Sequence, residues 1–210
     1  MDGIELKNIG KSYDGKVVFE NVNLSFKSGT VTCFAGHNGC GKSTMLKVIA
    51  GLIPPTGGEV IRDKDLSLAY VPEKFSAVGM KALTYLKYMV KMDGIYDAAE
   101  GEQQIRLLAQ DFFLTDMLEK PMRKLSKGTL QKIGVLQAFL RDPDVLLLDE
   151  PLSGQDTDSQ QVFIRKVLEY KKAGRIIFLS AHEKELIKAV SDVVYTMEDG
   201  QVRSLHETLR

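Results

Sequence analysis

Long apolar runs, charge of one sign and cysteine are all scarce in this 210-residue chain. No apolar stretch approaches the roughly 18 residues that a bilayer-spanning helix needs, so any crossing of a membrane is expected of a partner chain. The first residues, Met1-Asp2-Gly3-Ile4-Glu5, show no leader pattern. Lys plus Arg is 28 and Asp plus Glu is 28, a formal net charge of zero. That leaves no basic footprint, and nucleic acid is not expected as a partner. The two cysteines, Cys33 and Cys40, have neither the number nor the spacing of a disulfide framework or a zinc site. A reducing compartment is expected, and no zinc.

What is present is the composition of an ordinary globular protein, 44 % hydrophobic and 27 % charged. Ile4–Ile9 and Val17–Phe26 alternate apolar and polar residues around the turn Asp14-Gly15, as antiparallel strands do. Val31–Ala35, Val145–Leu148 and Arg175–Ser180 are near-continuous apolar runs, the pattern of strands buried on both faces. Short strands are expected near Glu59–Ile61 and Leu66–Val71, and Val193–Met197 and Gln201–Ser204 close the sheet around Asp199-Gly200. Between about 75 and 140 the periodicity is helical: Leu83, Leu86 and Val90 mark one face, Ile105, Leu108 and Phe112 another, Ile133, Leu136 and Leu140 a third. A further helix is expected over Thr157–Tyr170, and the Met80, Met89 and Met92 cluster reads as core filler, the alternative being a surface that accepts a partner helix. The expected architecture is α/β: a lobe of about 1–74 and 141–210 with an antiparallel N-terminal part, and an inserted helical lobe of about 75–140.

The chain is organised around Gly36-His37-Asn38-Gly39-Cys40-Gly41-Lys42-Ser43-Thr44. It fits G-x-x-x-x-G-K-[ST], a loop whose glycines let successive N–H groups turn inward on an anion. An apolar strand precedes it and a helical run follows, so a helix N-terminus lies under the phosphates. Lys42 supplies a charge for the β- and γ-phosphates, and the Ser43 hydroxyl suits Mg²⁺. Asp149 closes an apolar strand, where a phosphate loop needs an acidic partner for Mg²⁺. Glu150 is placed as general base or water-positioner. His182, just past the strand Arg175–Ser180, can reach the γ-phosphate and the attacking water. All of these follow strand ends, so they should converge.

Together these residues resemble the ATP-binding subunits of ABC transporters over essentially the whole chain. Leu125-Ser126-Lys127-Gly128-Thr129 is similar to that family's LSGGQ signature, with Lys127-Gly128-Thr129 where Gly-Gly-Gln is usual. Val145–Pro151 is similar to its acidic strand motif, Ser153-Gly154-Gln155-Asp156 to its D-loop, His182 to its switch histidine and Tyr13 to the aromatic that stacks on adenine. Glu73, in Tyr70-Val71-Pro72-Glu73-Lys74, stands where the family usually has Gln; it keeps a hard oxygen for Mg²⁺, loses the amide donor and adds a charge near Glu150, so it is expected either to bind Mg²⁺ directly or to stay outside the site until the lobes rotate.

The resemblance implies a P-loop NTPase of RecA-like, mostly parallel sheet. It further implies ATP and Mg²⁺ as cofactors and a head-to-tail pair, a homodimer or two paired cassettes. In such a pair Ser126, Gly128 and Asp156 of one copy complete the ATP site of the other, with Lys127 either adding a cation there or facing solvent. It also implies a separate integral membrane subunit that holds this chain at the inner face of the cell membrane, and docks a cytoplasmic helix near Glu73–Gly79. The lysine-bearing signature and the short chain resemble bacterial exporters, so export is the expected direction. The alternative is a non-transport cassette ATPase acting on DNA or the ribosome, disfavoured because those chains tend to carry two cassettes or a coiled coil.

Overall fold

The computed structural model describes residues 3–152 and 156–205. Strands β1 (Gly3–Tyr13) and β2 (Lys16–Lys27) form an antiparallel hairpin. The turn between them has Asp14 at φ 48° and Gly15 at φ 78°. Two successive positive φ values suit the right-handed twist of a two-residue hairpin, which is why an Asp-Gly pair occupies it. After β3 (Val31–Ala35) and helix α1 (Lys42–Ala50), strand β4 (Gly57–Ile61) returns to the free side of β1, giving a three-stranded sheet in the order β2-β1-β4.

The remaining elements are β5 (Leu68–Val71), α2 (Ala82–Asp93), α3 (Ala98–Asp111), α4 (Lys127–Leu140), β6 (Val145–Asp149), α5 (Thr157–Lys172), β7 (Ile176–Ser180), α6 (Lys184–Val190), β8 (Val193–Glu198) and β9 (Gln201–Ser204). They build a six-stranded sheet in the order β5-β6-β7-β3-β8-β9. All pairs are parallel except the final hairpin, β8 with β9.

Every residue of β6 and β7 is buried because each face of this sheet has its own core. Val145 and Leu147 point into one core with Phe26, Phe34, Met45, Ile49 and Phe178, between the two sheets and α1. Leu146 and Leu148 point into the other, beneath α2 to α5. The period of two along β6 thus feeds two apolar layers, which reads in sequence as an unbroken run. Phe26 meets Phe178 edge-on at 4.7 Å between centroids, and Phe34 stacks on Phe178 at 6.4 Å.

One expectation fails here, and one element was not expected. Met80 and Met89 are only partly buried and Met92 is 79 % exposed, so the methionine cluster is surface rather than core filler. The seven-residue α6 is absent from the sequence reading, because two turns of helix are too few for a convincing apolar stripe.

α4 ties the helices to the loop after β5. The buried side chain of Gln131 donates from Nε2 to Pro72 O at 2.8 Å, and its Oε1 accepts from Phe75 N at 3.2 Å. Phe75 can lie this close because residue 134 is glycine: a Cβ there would meet the phenyl ring at 2.5 Å. Gly134→Leu is expected to lower stability by about 1–3 kcal/mol through overpacking, read as a fall in the thermal unfolding midpoint; an unchanged midpoint would mean that the loop yields freely.

Candidate nucleotide site

β7 lies between β6 and β3, so the carboxyl ends of three parallel strands bring Asp149, Ser180 and the phosphate loop side by side. The loop wraps tightly against β8 and β2. A Cβ on Gly36, at φ 152°, would come within 2.6 Å of Met197 O and 2.8 Å of Cys40 Sγ; one on Gly41, at φ 111°, would meet Val18 Cγ1 at 2.6 Å. These two glycines are therefore required by close approach as well as by conformation. Gly41 is also the N-cap of α1 and brings no side chain to the first turn, which leaves that turn's N–H groups for an anion.

Lys42 is 6 % exposed, and its Nζ folds back onto Gly36 O at 2.9 Å, His37 O at 3.3 Å and Glu150 Oε1 at 3.4 Å. Ser43 Oγ donates to Asp149 Oδ1 at 3.0 Å. Asp149, 2 % exposed, also accepts from Ser180 Oγ at 2.6 Å and from Tyr70 OH at 3.0 Å on Oδ2. Burial first, and then the Asp149 charge, push the Tyr70 phenol above its usual range, so it stays a donor.

Glu150 sits at φ 46°, a left-handed conformation that is costly for a residue with a Cβ. Its N–H is anchored on Ser180, to Oγ at 2.9 Å and O at 3.2 Å. Ser180 Oγ thus fixes Asp149 and Glu150 at once. His182 Nδ1 lies 2.9 Å from Glu150 Oε2, while more than half of the imidazole side chain remains exposed.

Tyr13, Asn38, Gly39, Gly41 to Thr44, Glu73, Glu150 and His182 all line one cleft of about 480 Å³. Gly36, His37 and Cys40 lie in the same loop, and Asp149 lies beneath Ser43. Tyr13 is half exposed, with Lys11 Nζ 4.8 Å from its ring centre. The signature residues are elsewhere. Ser126 caps α4 through Thr129 N at 3.1 Å, and Lys127 and Gly128 form the first turn; none of the three lines this cleft. Asp156 caps α5 through Ser159 N, and the Lys132 ammonium at 2.9 Å holds its carboxyl well below the usual range. Ser153, Gly154 and Gln155 lie outside the described residues.

Sequence reasoning missed Ser180, Tyr70 and Gln131. Ser180 carried a signal, a hydroxyl closing an otherwise apolar strand. The roles of Tyr70 and Gln131 depend on partners 79 and 59 positions away.

The two cysteines differ in environment. Burial pushes the Cys33 thiol up to about 12, so it stays protonated, whereas Cys40 is partly accessible in the loop. A maleimide is expected to modify Cys40, block ATP binding and be held off by ATP; full ATP affinity after modification would contradict that placement.

The ABC transporter family model matches residues 19–153. The zinc import ATP-binding protein ZnuC of Mannheimia succiniciproducens is 34 % identical over 192 residues, 91 % of this chain and 71 % of that protein. Its namesake in Halorhodospira halophila is 30 % identical over 200 residues, 95 % of this chain and 75 % of that protein. A solved ATP-binding subunit of an ABC transporter superposes with TM-score 0.87 at 27 % identity, covering 98 % of this chain and 91 % of its own. A dimeric, post-hydrolysis ATP-binding cassette bound to ADP and Pi has TM-score 0.84 at 23 % identity, with 99 % of both chains covered, and shows the same fold.

These relatives correct two expectations. The exclusion of zinc is overturned, because the curated relatives are named for zinc import. Cysteine count speaks to metals gripped by this chain's thiolates, whereas an energy-supplying subunit need not hold the transported ion. Export is likewise unsupported, since a lysine in the signature and a short chain encode no direction of transport. The chain belongs to the ABC transporter family and is its ATP-binding subunit, an ATPase of α/β fold with a mostly parallel sheet beside an antiparallel one.

Proposed function

We propose that this ATPase drives a separate membrane-spanning subunit that brings a divalent metal ion, zinc foremost, into the cell. In this reading it works as a head-to-tail pair at the inner face of the membrane. The observation that carries the hydrolytic part is the position of Glu150, paired through one oxygen with Lys42 and through the other with His182, at the edge of one cleft. Import and cargo rest on relatives that are named for zinc import and are 30 % to 34 % identical. Among the described residues no helix is long and apolar enough to cross a membrane, which supports a partner that does so.

Gly36 to Thr44 turn their N–H groups onto the phosphates, and Lys42 leaves its carbonyls for the β- and γ-oxygens. Glu150 takes the proton of the attacking water, with His182 holding its carboxylate and reaching the γ-phosphate. Tyr13 offers its exposed face to adenine. Ser126, Lys127 and Gly128, turned away from their own cleft, close over the ATP of the other copy, and Asp156 lies on the same joint. The helical lobe, about 75–140, carries that signature toward the partner as part of a single ATPase domain.

The donor set fits Mg²⁺. Ser43 and Asp149 offer a hydroxyl and a carboxylate oxygen 3.0 Å apart, both hard ligands, with Glu73 across the cleft. Ser43, Asp149 and Glu73 would hold it, and it would supply charge neutralisation across the β- and γ-phosphates. Glu73→Gln removes an anion from this shell. It is expected to change the Mg²⁺ concentration for half-maximal ATPase by about 3- to 10-fold, close to 1 kcal/mol; an identical Mg²⁺ profile would take Glu73 out of it.

The function is tested by reconstituting the chain with its membrane partner in vesicles and following radioactive zinc. Accumulation that requires MgATP on the side facing this chain is expected. Zinc leaving that side, or no metal flux alongside ribosome- or DNA-stimulated ATPase, would defeat the reading.

A further inference from the structure

We propose that Glu150, His182 and Glu183 form a second cation site, distinct from that of Mg²⁺, through which Zn²⁺ arrests hydrolysis. The His182 ring lies between two carboxylates: Nδ1 is 2.9 Å from Glu150 Oε2 and Nε2 is 3.6 Å from Glu183 Oε1. One donor atom from each residue falls within 4.8 Å of the other two. His182 can give one ion only one of its nitrogens: with Nδ1 on the metal beside Glu150 Oε2, the Glu183 carboxylate swings round from the Nε2 side, and one nitrogen and two oxygens then take three corners of a tetrahedron, leaving the fourth to water or a phosphate oxygen. The nitrogen selects the metal. Imidazole suits Zn²⁺, whereas Mg²⁺ prefers oxygen ligands and its own waters.

Three features leave these side chains available. Glu150 is about nine-tenths buried; its Oε1 pairs with Lys42 Nζ at 3.4 Å and, among the described residues, accepts no hydrogen bond, so a metal at Oε2 displaces only the His182 contact. Lys42 approaches Oε1 while His182 approaches Oε2, so a cation on the histidine side does not displace the lysine. Glu183 occupies the N-cap position of α6, yet its carboxylate caps nothing there and takes a long contact from His182 N at 3.4 Å.

A metal seated here occupies the lone pairs with which Glu150 would accept a proton from water, and fixes His182 away from the phosphate. Hydrolysis stops while nucleotide can still bind. In biological terms the inference rests on the proposed cargo, because an imported metal that silences its own pump is a feedback brake.

The test uses the nucleotide-free chain titrated with Zn²⁺ against a chelating dye. Glu183→Ala is expected to weaken binding by about 10- to 100-fold, since losing a ligand costs at least as much as losing a ligand's hydrogen-bond partner. Its ATPase rate in metal-free Mg²⁺ buffer should stay at the wild-type value, and its half-inhibiting zinc concentration should rise by the same factor. Co²⁺ in place of Zn²⁺ should give a spectrum without a thiolate charge-transfer band. Unchanged zinc affinity in both Glu183→Ala and Glu183→Gln, or a thiolate band pointing to Cys40, would overturn the site. Zinc flux through the assembled transporter plays no part in this readout, so a complex that moves another cargo overturns the cargo reading and not this one.

Discussion

Glu150→Gln is expected to bind MgATP and to hydrolyse it about 100- to 10,000-fold more slowly, the range for loss of a positioned base. The amide keeps the shape of the side chain and can still meet His182 at the 2.9 Å contact, so the phosphate loop should remain folded. What it loses is the capacity to accept a proton, together with a buried negative charge 3.4 Å from Lys42. With hydrolysis blocked, ATP should stay between two copies and hold them together. Gel filtration with light scattering should show a dimer that needs ATP and dissolves when ATP is removed. A variant turning over within a few-fold of wild type would remove Glu150 from the chemistry.

Lys42→Ala has the second large effect, on binding rather than turnover. The Lys42 ammonium is buried and held by two carbonyls and one carboxylate. Those contacts keep it ready, and they are weaker than the charge-assisted bonds it would make to two phosphates. Losing such bonds costs about 3–4 kcal/mol, or roughly 100- to 1,000-fold in ATP affinity. The deletion also leaves the Glu150 carboxylate beside the incoming phosphates with no cation between them, which adds like-charge repulsion. A fluorescent ATP analogue titrated into folded Lys42→Ala should show this loss; wild-type affinity would mean that the lysine is structural.

The parts of the site that were legible in the sequence are those whose chemistry is local. The phosphate loop needs only a strand before it and a helix after it, and both are adjacent in the chain. Asp149, Glu150 and His182 could be placed because apolar runs end just before them, and ends of parallel strands share one edge of a sheet. Ser180 could not be given a role, because its hydroxyl matters only once β6 and β7 are paired in the register that sets it opposite Asp149. Gln131 lies off the helix face that Ile133, Leu136 and Leu140 mark in the sequence, and its amide finds Pro72 and Phe75 only through tertiary contact. The exposed methionines show the same limit: helical periodicity tells which residues share a face, not whether anything covers it. Cargo and direction were illegible for a different reason, since a subunit that supplies energy need not touch what is carried.

The location of Ser126 and Gly128 gives the proposed dimer its physical sense. An α-helix N-terminus with a serine cap and a bare glycine in its first turn is suited to an anion, yet in its own chain it lies apart from the phosphate loop. A second copy can bring it over a triphosphate.

A crystal structure of Glu150→Gln with ATP would test that arrangement directly. The account predicts that each γ-phosphate is held by Lys42 of one copy and touched by Ser126 Oγ and the Gly128 backbone of the other. Nucleotides contacted by a single chain, with both signature helices facing solvent, would contradict it.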